Sequence, residues 1–303
     1  MRIFSRGISD ERILNKAKDF FSTEIGQKLI NSKKDGKPVF NICIRDNYFN
    51  IYWNGCSVLK YSPNATKNTY QIHKKYIFKD ANVEEKDYIN LSPELKFENW
   101  DFSDAIIANA QNGEIPLVND YVKGEKEDIK NYILRENPFL LDLEVAFTRE
   151  RSIRETENSK LDFVADRIDM ARIDLLPSGE PILRLVEVKR AQDSRLRSEK
   201  IPEIMDQMER YQTFIDSEID NIKKSYRVVA NNMLELGLDA NMAGIGSKTA
   251  KDILQEFSQS PAVDERPHLL VIGEKQELSG NVDHWQKLKE LFAERYPAPV
   301  IWS

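Results

Sequence analysis

Cysteine and histidine are both scarce in this chain of 303 residues. The two cysteines, Cys43 and Cys56, fall in segments with a β pattern, and His73, His268 and His284 are far apart in the sequence. Two thiols cannot hold an iron–sulfur cluster or a cysteine-rich zinc site, and isolated histidines lack the short spacings of metal ligands. We therefore expect ordinary structural or surface roles for these side chains.

Long apolar runs and the common nucleotide and nucleophile motifs are also absent. The longest apolar runs, such as 269–272, are far shorter than the roughly 18 residues of a membrane-spanning helix. The first 21 residues carry charges every few positions, unlike a secretory signal. No G-x-S-x-G, Walker loop or G-x-G-x-x-G occurs. These absences exclude a membrane span, hydrolases with a nucleophile elbow, P-loop NTPases and Rossmann dehydrogenases, and cytoplasmic residence is the default expectation.

What is present is the composition of a globular protein. Hydrophobic residues make up 41% and aromatic residues 10% of the chain, which is enough for a sizeable core. The 44 Lys and Arg against 50 Asp and Glu give a net charge of −6. The length indicates two units of roughly 150 residues or one elaborated domain.

The first third of the chain predicts a helix followed by an antiparallel meander. Apolar residues recur with a helical period over 9–31, and the pattern changes to alternation over 38–80. Asn54-Gly55 lies between two alternating runs and is a strong hairpin signal. We predict an N-terminal α+β module over 1–115, with irregular connections over 80–120 and a short helix near 102–110.

The remainder, 116–303, alternates between helical and strand patterns. Helical patterns occur at 129–133, from Pro202 to about 222, and near 233–236, 248–257 and 283–295. Strand patterns occur at 141–147, 173–176, 182–189, 226–230 and 268–272. This order predicts an α/β (α+β) fold with a mixed sheet flanked by helices.

One constellation of polar residues lies inside the strand patterns. Glu187 and Lys189 share a strand face because side chains two apart point the same way. The turn at 178–181 folds the chain back, so we expect Asp174 to lie within a residue or two of opposite Glu187. Two converging carboxylates repel each other unless a cation binds, and Mg²⁺ prefers such oxygen ligands. Gln207 and Tyr211, four apart, share one face of the following helix.

These segments, RIDLL, LVEVKR and QMERY over roughly 122–230, resemble the PD-(D/E)xK nuclease superfamily, which has the restriction-endonuclease-like fold. The resemblance implies that Asp174 and Glu187 bind Mg²⁺, or Mn²⁺, together with the main-chain carbonyl of Val188. It implies that Lys189 positions or activates the attacking water. Gln207 and Tyr211 would support the site and contact DNA. Ile173 stands where the family's name has proline, a position that holds no ligand.

Two assignments within the resemblance have alternatives. The family often adds a glutamate from the helix before the first strand, and Glu127 is the candidate, with Glu125, Glu136 and strand-borne Glu144 as contenders. Asp166 and Asp169 also precede the turn, and we rank Asp174 above them because its neighbours are apolar. A charged strand face exposed to solvent is the alternative interpretation of the whole constellation.

Candidate contacts to nucleic acid lie beside this constellation. The stretch 184–200 is locally basic, and Arg190, Arg195 and Arg197 could contact phosphates, with a solvated loop as the alternative. The segment 243–254, AGIGSKTAKDIL, resembles half of a helix-hairpin-helix, although an ordinary glycine turn before a helix explains it better. The aromatic residues of the meander are better explained by a half-buried sheet than by base stacking.

The sequence thus favours a Mg²⁺-dependent nuclease that hydrolyses phosphodiester bonds, with DNA preferred over RNA, in restriction, phage defence or repair. The alternative is a non-cleaving nucleic-acid-binding or protein-interaction module on the same fold. No helicase or methylase motif accompanies the site, which is compatible with a partner protein encoded nearby, and a homo-oligomer is equally compatible.

Overall fold

The computed structural model describes residues 3–64, 66–78, 88–110, 112, 116–121, 123–150, 163–197, 203–279 and 282–303. Within these ranges the chain forms two compact units. The first comprises 1–5, 142–225 and 261–303, and the second comprises 6–141 and 226–260. We call them the mixed-sheet unit and the meander unit. The predicted domain boundary between residues 115 and 116 does not coincide with a boundary of either unit.

Two helices open the meander unit, where the pattern over 9–31 predicted one helical segment. These are α1 (Glu11–Phe21) and α2 (Glu24–Asn31). The Thr23 side chain accepts a hydrogen bond from the Gly26 backbone nitrogen, so it caps a new helix only two residues after α1 ends. A cap residue inside a continuous apolar period therefore divides the helix.

The meander predicted over 38–80 is confirmed, but the irregular connections predicted over 80–120 are partly wrong, because the described residues 88–101 contain three short strands. The strands of this part of the chain are β1 (Lys33–Lys34), β2 (Lys37–Pro38), β3 (Phe40–Ile44), β4 (Phe49–Trp53), β5 (Cys56–Ser62), β6 (Thr69–His73), β7 (Tyr88–Leu91), β8 (Lys96–Phe97) and β9 (Trp100–Asp101). Strands β3 to β7 pair in sequence order, all antiparallel. Asn54 and Gly55 both have positive φ, at 50° and 73°, which is the backbone of a tight hairpin turn. Six aromatic side chains of strands β3 to β6 are buried in the core, namely Phe40, Phe49, Tyr52, Trp53, Tyr61 and Tyr70.

Short helices then lead into a second sheet. The elements are α3 (Ala108–Ala110), α4 (Pro116–Asn119), α5 (Glu125–Glu136), β10 (Phe139–Glu150), β11 (Phe163–Leu175), β12 (Pro181–Arg190), α6 (Glu203–Glu235), α7 (Ala250–Gln259), β13 (Ala262–Val263), β14 (His268–Ile272), α8 (Lys275–Ser279), α9 (Val282–Ala293) and β15 (Val300–Trp302). A π-helical turn over Ser103–Ile107 precedes α3. None of the helices in the described ranges combines the length and the apolar character that crossing a bilayer requires.

The second sheet is mixed, as the alternating pattern predicted. Its order is β10-β11-β12-β14-β15, and β13 also pairs with β12. Strands β11 and β12 form an antiparallel hairpin, whereas β14 runs parallel to both β12 and β15. Strand β12 therefore lies in the interior of the sheet, and residues 185–189 are all buried. Any polar side chain in this stretch must find its partners within the protein.

The strand predicted at 226–230 is wrong, because these residues belong to α6. Helix α6 runs for 33 residues, well past the predicted end near 222. Ile222, Tyr226, Val229 and Met233 are buried, and their spacing of three and four residues places them on one helical face. The β-branched and aromatic composition suggested a strand, but no glycine or proline interrupts 203–235. The helical pattern that continues through 203–235 therefore outweighs the strand-like composition of 226–230.

Candidate metal-binding and catalytic site

Glu187 and Lys189 lie next to each other on the interior strand β12. Each is only 2% exposed. The Lys189 ammonium donates to Glu187 Oε1 and, at 2.7 Å, to the main-chain carbonyl of Val188. A buried ion pair of this kind is not the exposed charged strand face that was the alternative interpretation.

Two side chains of α6 reach the same carboxylate. Gln207 Nε2 donates to Glu187 Oε1 at 2.7 Å, and the Tyr211 hydroxyl donates to Glu187 Oε2 at 3.0 Å. Gln207 Nε2 also lies 2.5 Å from the Tyr211 hydroxyl oxygen. The shared helix face predicted for these residues is confirmed, and the face points at Glu187. Both oxygens of this carboxylate are therefore held by neighbours from β12 and α6.

Tyr211 is held in its protonated form. Its burial raises the pKa of the phenol well above the usual value, and the negative charge of Glu187 raises it further. The hydroxyl has a second acceptor within reach, the main-chain carbonyl of Arg167 at 2.6 Å. Tyr211 thus acts as a permanent hydrogen-bond donor that links β11, β12 and α6.

Asp174 does not lie opposite Glu187, so that expectation is wrong. The hairpin register pairs Asp174 with Ile182 and Met170 with Val186. Five residues separate Ile182 from Glu187, which is about 17 Å along a strand. Asp174 instead accepts from Arg184 at 2.8 Å and from Arg172 at 3.1 Å. Its charge is neutralised there, at the far end of the hairpin.

Asp169 is the acidic residue that the hairpin brings to the site. Its Oδ2 accepts a 2.7 Å hydrogen bond from the Val188 backbone nitrogen. Val188 therefore connects the two halves of the cluster, since its carbonyl accepts from Lys189. Asp166, the other aspartate before the turn, pairs with Arg210 of α6 at 3.3 Å. We call Asp169, Glu187, Val188, Lys189 and the two α6 residues Gln207 and Tyr211 the Glu187 cluster.

The donor atoms of the Glu187 cluster fit a hard cation. Asp169 and Glu187 supply carboxylates and Val188 supplies a carbonyl, all oxygen ligands of the kind that Mg²⁺ takes. Gln207 Oε1 is buried and has no hydrogen-bond partner among the described atoms, so an acceptor next to the carboxylates remains unsatisfied. In the described part of the chain, no three His, Cys, Asp or Glu side chains come together as a metal site. Asp169 and Glu187 would be the carboxylate ligands of a cation held at this cluster.

The additional glutamate of the resemblance has candidates in both units. Glu127 lies on the first turn of α5 and is exposed, and Glu125 and Glu136 belong to the same helix. All three are in the meander unit, whereas the Glu187 cluster is in the mixed-sheet unit. Glu144 of β10 is in the mixed-sheet unit, 3.8 Å from the Arg167 guanidinium.

Two of the three arginines near the site are engaged within their own loop. Arg195 makes a two-pronged pair with Asp193, with Nη2 to Oδ2 at 2.6 Å, and this contact lowers the pKa of Asp193. Arg197 donates twice to the carbonyl of Ala191, at 3.0 and 3.1 Å. Arg190 lies at the exposed end of β12. Residues 198–200 of the basic stretch lie outside the described residues.

The segment 243–254 forms a glycine turn followed by α7. Ile245 and Lys248 exchange backbone hydrogen bonds across the turn, and Gly246 has a φ of 61°. Thr249 and Asp252 form a reciprocal capping box that begins α7. This local chemistry accounts for the glycines and for the helix start, and contact with a phosphate stays a prediction.

Comparison with protein-family models finds no match, and neither do comparisons with curated proteins and with solved structures. A functional assignment for the Glu187 cluster therefore depends on its own chemistry.

Proposed function

We propose that the chain is a metal-dependent nuclease whose mixed-sheet unit is a restriction-endonuclease-like core. The observation that carries the proposal is the Glu187 carboxylate. Its oxygens are held by the lysine two residues along the strand and by a glutamine and tyrosine four apart on α6. The neighbouring strand adds Asp169 at Val188. These are the residue types and the order of the E-x-K and Q-x-x-x-Y motifs.

The proposed ligands are Asp169, Glu187 and the carbonyl of Val188. A bound Mg²⁺ or Mn²⁺ ion would neutralise charge at a phosphodiester and lower the pKa of its bound water. Lys189 would orient the attacking water or the scissile phosphate, and it holds the positive charge next to Glu187. Gln207 and Tyr211 fix the orientation of the Glu187 carboxylate through two separate oxygens. Asp169 replaces Asp174 in this scheme.

The proposed substrate is DNA, with RNA as the second choice. The proposed role is restriction, phage defence or repair in the cytoplasm. The net charge of −6 repels a polyanion at long range, so binding requires a local basic surface. We place this basic surface at the end of β12, where Arg190 is exposed and Arg195 and Arg197 follow in the sequence.

One observation favours the alternative, a non-cleaving nucleic-acid-binding or protein-interaction module. Lys189 lies on two of the proposed ligands, Glu187 Oε1 and the Val188 carbonyl. An ammonium there already satisfies the buried carboxylate, so the cluster is electrostatically complete in the structure. In a nuclease, Glu187 and the Val188 carbonyl would hold a divalent ion in place of their contacts to Lys189, whereas a non-cleaving module would keep those contacts.

The test compares two aspartates of the same hairpin. Asp169→Asn and Glu187→Gln should lower Mg²⁺-dependent cleavage of DNA by more than about 100-fold, since loss of even a supporting residue of a metal site costs 10- to 100-fold. Asp174→Asn is the matched control and should retain cleavage, because Asp174 belongs to the Arg172 and Arg184 ion pairs.

Metal binding gives the second measurement. Mn²⁺ titration followed by electron paramagnetic resonance should show a site in the wild type and in Asp174→Asn, and no site in Glu187→Gln. Cleavage that survives Asp169→Asn but not Asp174→Asn would contradict the assignment. Folded wild-type protein that neither binds Mn²⁺ nor cleaves any DNA form would establish the non-cleaving alternative.

A further inference from the structure

Two arginines lie beside Tyr211, one of the two α6 residues that hold the Glu187 carboxylate. Arg210 directly precedes Tyr211 in α6. Arg167 belongs to β11, and its main-chain carbonyl accepts the 2.6 Å hydrogen bond from the Tyr211 hydroxyl. The same hydroxyl lies 3.0 Å from Glu187 Oε2. The backbone of Arg167 is therefore only two hydrogen bonds away from the proposed metal site.

Both guanidinium groups belong to exposed or half-exposed side chains. The side chain of Arg167 is 57% exposed and that of Arg210 is 35% exposed. Both residues are in the mixed-sheet unit, as is the Glu187 cluster. An arginine that is exposed to this extent can meet a phosphate without any rearrangement of the protein core.

The contacts of these two arginines with carboxylates of the chain are long. Arg167 Nη1 lies 3.8 Å from Glu144 Oε1, which is beyond hydrogen-bond distance, and Arg210 Nε donates to Asp166 at 3.3 Å. By contrast, Arg195 is held by two hydrogen bonds of 2.6 and 2.9 Å to one carboxylate. Exposed ion pairs contribute little to stability, and a phosphate offers a guanidinium two parallel charge-assisted hydrogen bonds. A phosphate can therefore compete for Arg167 and Arg210.

We propose that Arg167 and Arg210 contact backbone phosphates of the nucleic acid at the Glu187 cluster. This inference rests on the proposed nuclease, and it adds β11 and α6 to the end of β12 as places where the substrate is held. Arginine suits this role because its planar guanidinium matches the oxygens of a phosphate. Phosphates carry no base identity, so the two contacts position the backbone and leave sequence preference unaffected.

The experiment measures the affinity of the full-length protein for a fluorescently labelled DNA duplex by anisotropy over a series of salt concentrations. Ca²⁺ replaces Mg²⁺ so that cleavage does not interfere. Each phosphate contact contributes about 0.9 to the slope of log affinity against log salt. Arg167→Ala and Arg210→Ala should each reduce the slope by about 0.9 and the affinity by about tenfold in roughly 0.1 M salt. The double variant should reduce the slope by about 1.8.

Two control variants separate phosphate contact from other effects of the substitutions. Arg266 is an exposed arginine of the same unit, and its backbone nitrogen donates to Asp264, which pairs with Arg184 away from the cluster. Arg266→Ala removes the same charge and should leave the slope unchanged. Glu144→Gln breaks the ion pair of Arg167 but keeps the guanidinium, so it should not weaken binding.

Three results would overturn the proposal while the nuclease itself stands on its Mn²⁺ binding and cleavage. The first is an unchanged slope in the double variant. The second is a slope that Arg266→Ala reduces as much as Arg167→Ala does. The third is Glu144→Gln protein that binds as weakly as Arg167→Ala. Wild-type protein that binds no duplex would overturn both this proposal and the choice of DNA as the substrate.

Discussion

Removal of the Lys189 charge should destabilise the mixed-sheet unit strongly. Lys189→Met keeps the length and apolar stem of the side chain but leaves Glu187 without its ammonium partner. The side chains of the pair are 2% and 3% exposed, so water cannot replace the lost contact. Loss of one partner of a buried pair costs about 3–5 kcal/mol. Because Gln207 and Tyr211 still donate to Glu187, we expect a value near the lower end, about 3 kcal/mol.

The double variant Lys189→Met with Glu187→Gln separates this explanation from loss of packing. With both charges removed, no ion is left buried, and the free energy of unfolding should return to within about 1 kcal/mol of the wild type. The coupling energy between the two substitutions should therefore be about 2 kcal/mol or more.

Native-state hydrogen exchange of the amides of β12 and of the first half of α6 measures this prediction locally, so unfolding of the other unit does not interfere. Lys248→Met is the matched control, because the Lys248 ammonium pairs with Glu256 in a more exposed setting, with side chains 28% and 44% exposed. It should cost at most about 1 kcal/mol, read from the amides of α7. The reasoning is refuted if Lys189→Met costs no more than Lys248→Met, or if the two substitutions at the cluster are additive.

Three further predictions concern activity and pH. Tyr211→Phe should reduce cleavage about tenfold, less than the carboxylate variants do, because it removes a hydrogen bond to a charged group but no metal ligand. A loss as large as that of the carboxylate variants would show a more direct role for Tyr211. If both arginines contact duplex phosphates, the double variant Arg195→Ala with Arg197→Ala should reduce the slope of log affinity against log salt by about 1.8. Affinity is measured in Ca²⁺ so that cleavage does not interfere, and an unchanged slope would show that these arginines face solvent. Burial alone would raise the pKa of Asp264, but the hydrogen bond from His268 lowers that pKa overall. The Asp264 carboxylate therefore stabilises the fold above its unfolded pKa, near 3.9, and this stabilisation is lost as the pH falls through the lower folded pKa. Asp264→Asn should make the acid unfolding curve of the mixed-sheet unit less steep, and an unchanged curve would contradict this.

The choice between Asp169 and Asp174 shows what the sequence could have predicted. The two aspartates are five residues apart, so in a strand they point to opposite faces, and only one can share a face with Glu187. The decision depends on the register of the hairpin. The turn Pro177-Ser178-Gly179 is tight, with the Leu176 backbone nitrogen bonded to the Glu180 carbonyl. A turn of that length places residue 169 opposite residue 187, so counting outward from the turn would have identified Asp169.

Other features depend on contacts that no local pattern contains. The meander was predictable, because a turn dipeptide and alternation over adjacent segments define it locally. The division into units was not, because the C-terminal part of α6 belongs to the meander unit while its first part belongs to the mixed-sheet unit. For example, the Asn232 side chain accepts from the Ile8 backbone nitrogen at 2.7 Å, a contact between residues 224 apart. The change of hydrophobic pattern near residue 115 carries no information about such a contact.

The energetics of the Glu187 cluster favour a functional explanation over a structural one. Replacing a buried ion pair by well-packed apolar side chains is often neutral or stabilising by about 1–4 kcal/mol. Strand β12 already has Leu185, Val186 and Val188 fully or almost fully buried, so apolar residues at 187 and 189 would fit the same environment. A chain that needed only a stable sheet would gain nothing from two charges there. The charges, with a glutamine and a tyrosine that contact Glu187, therefore support the nuclease that we propose.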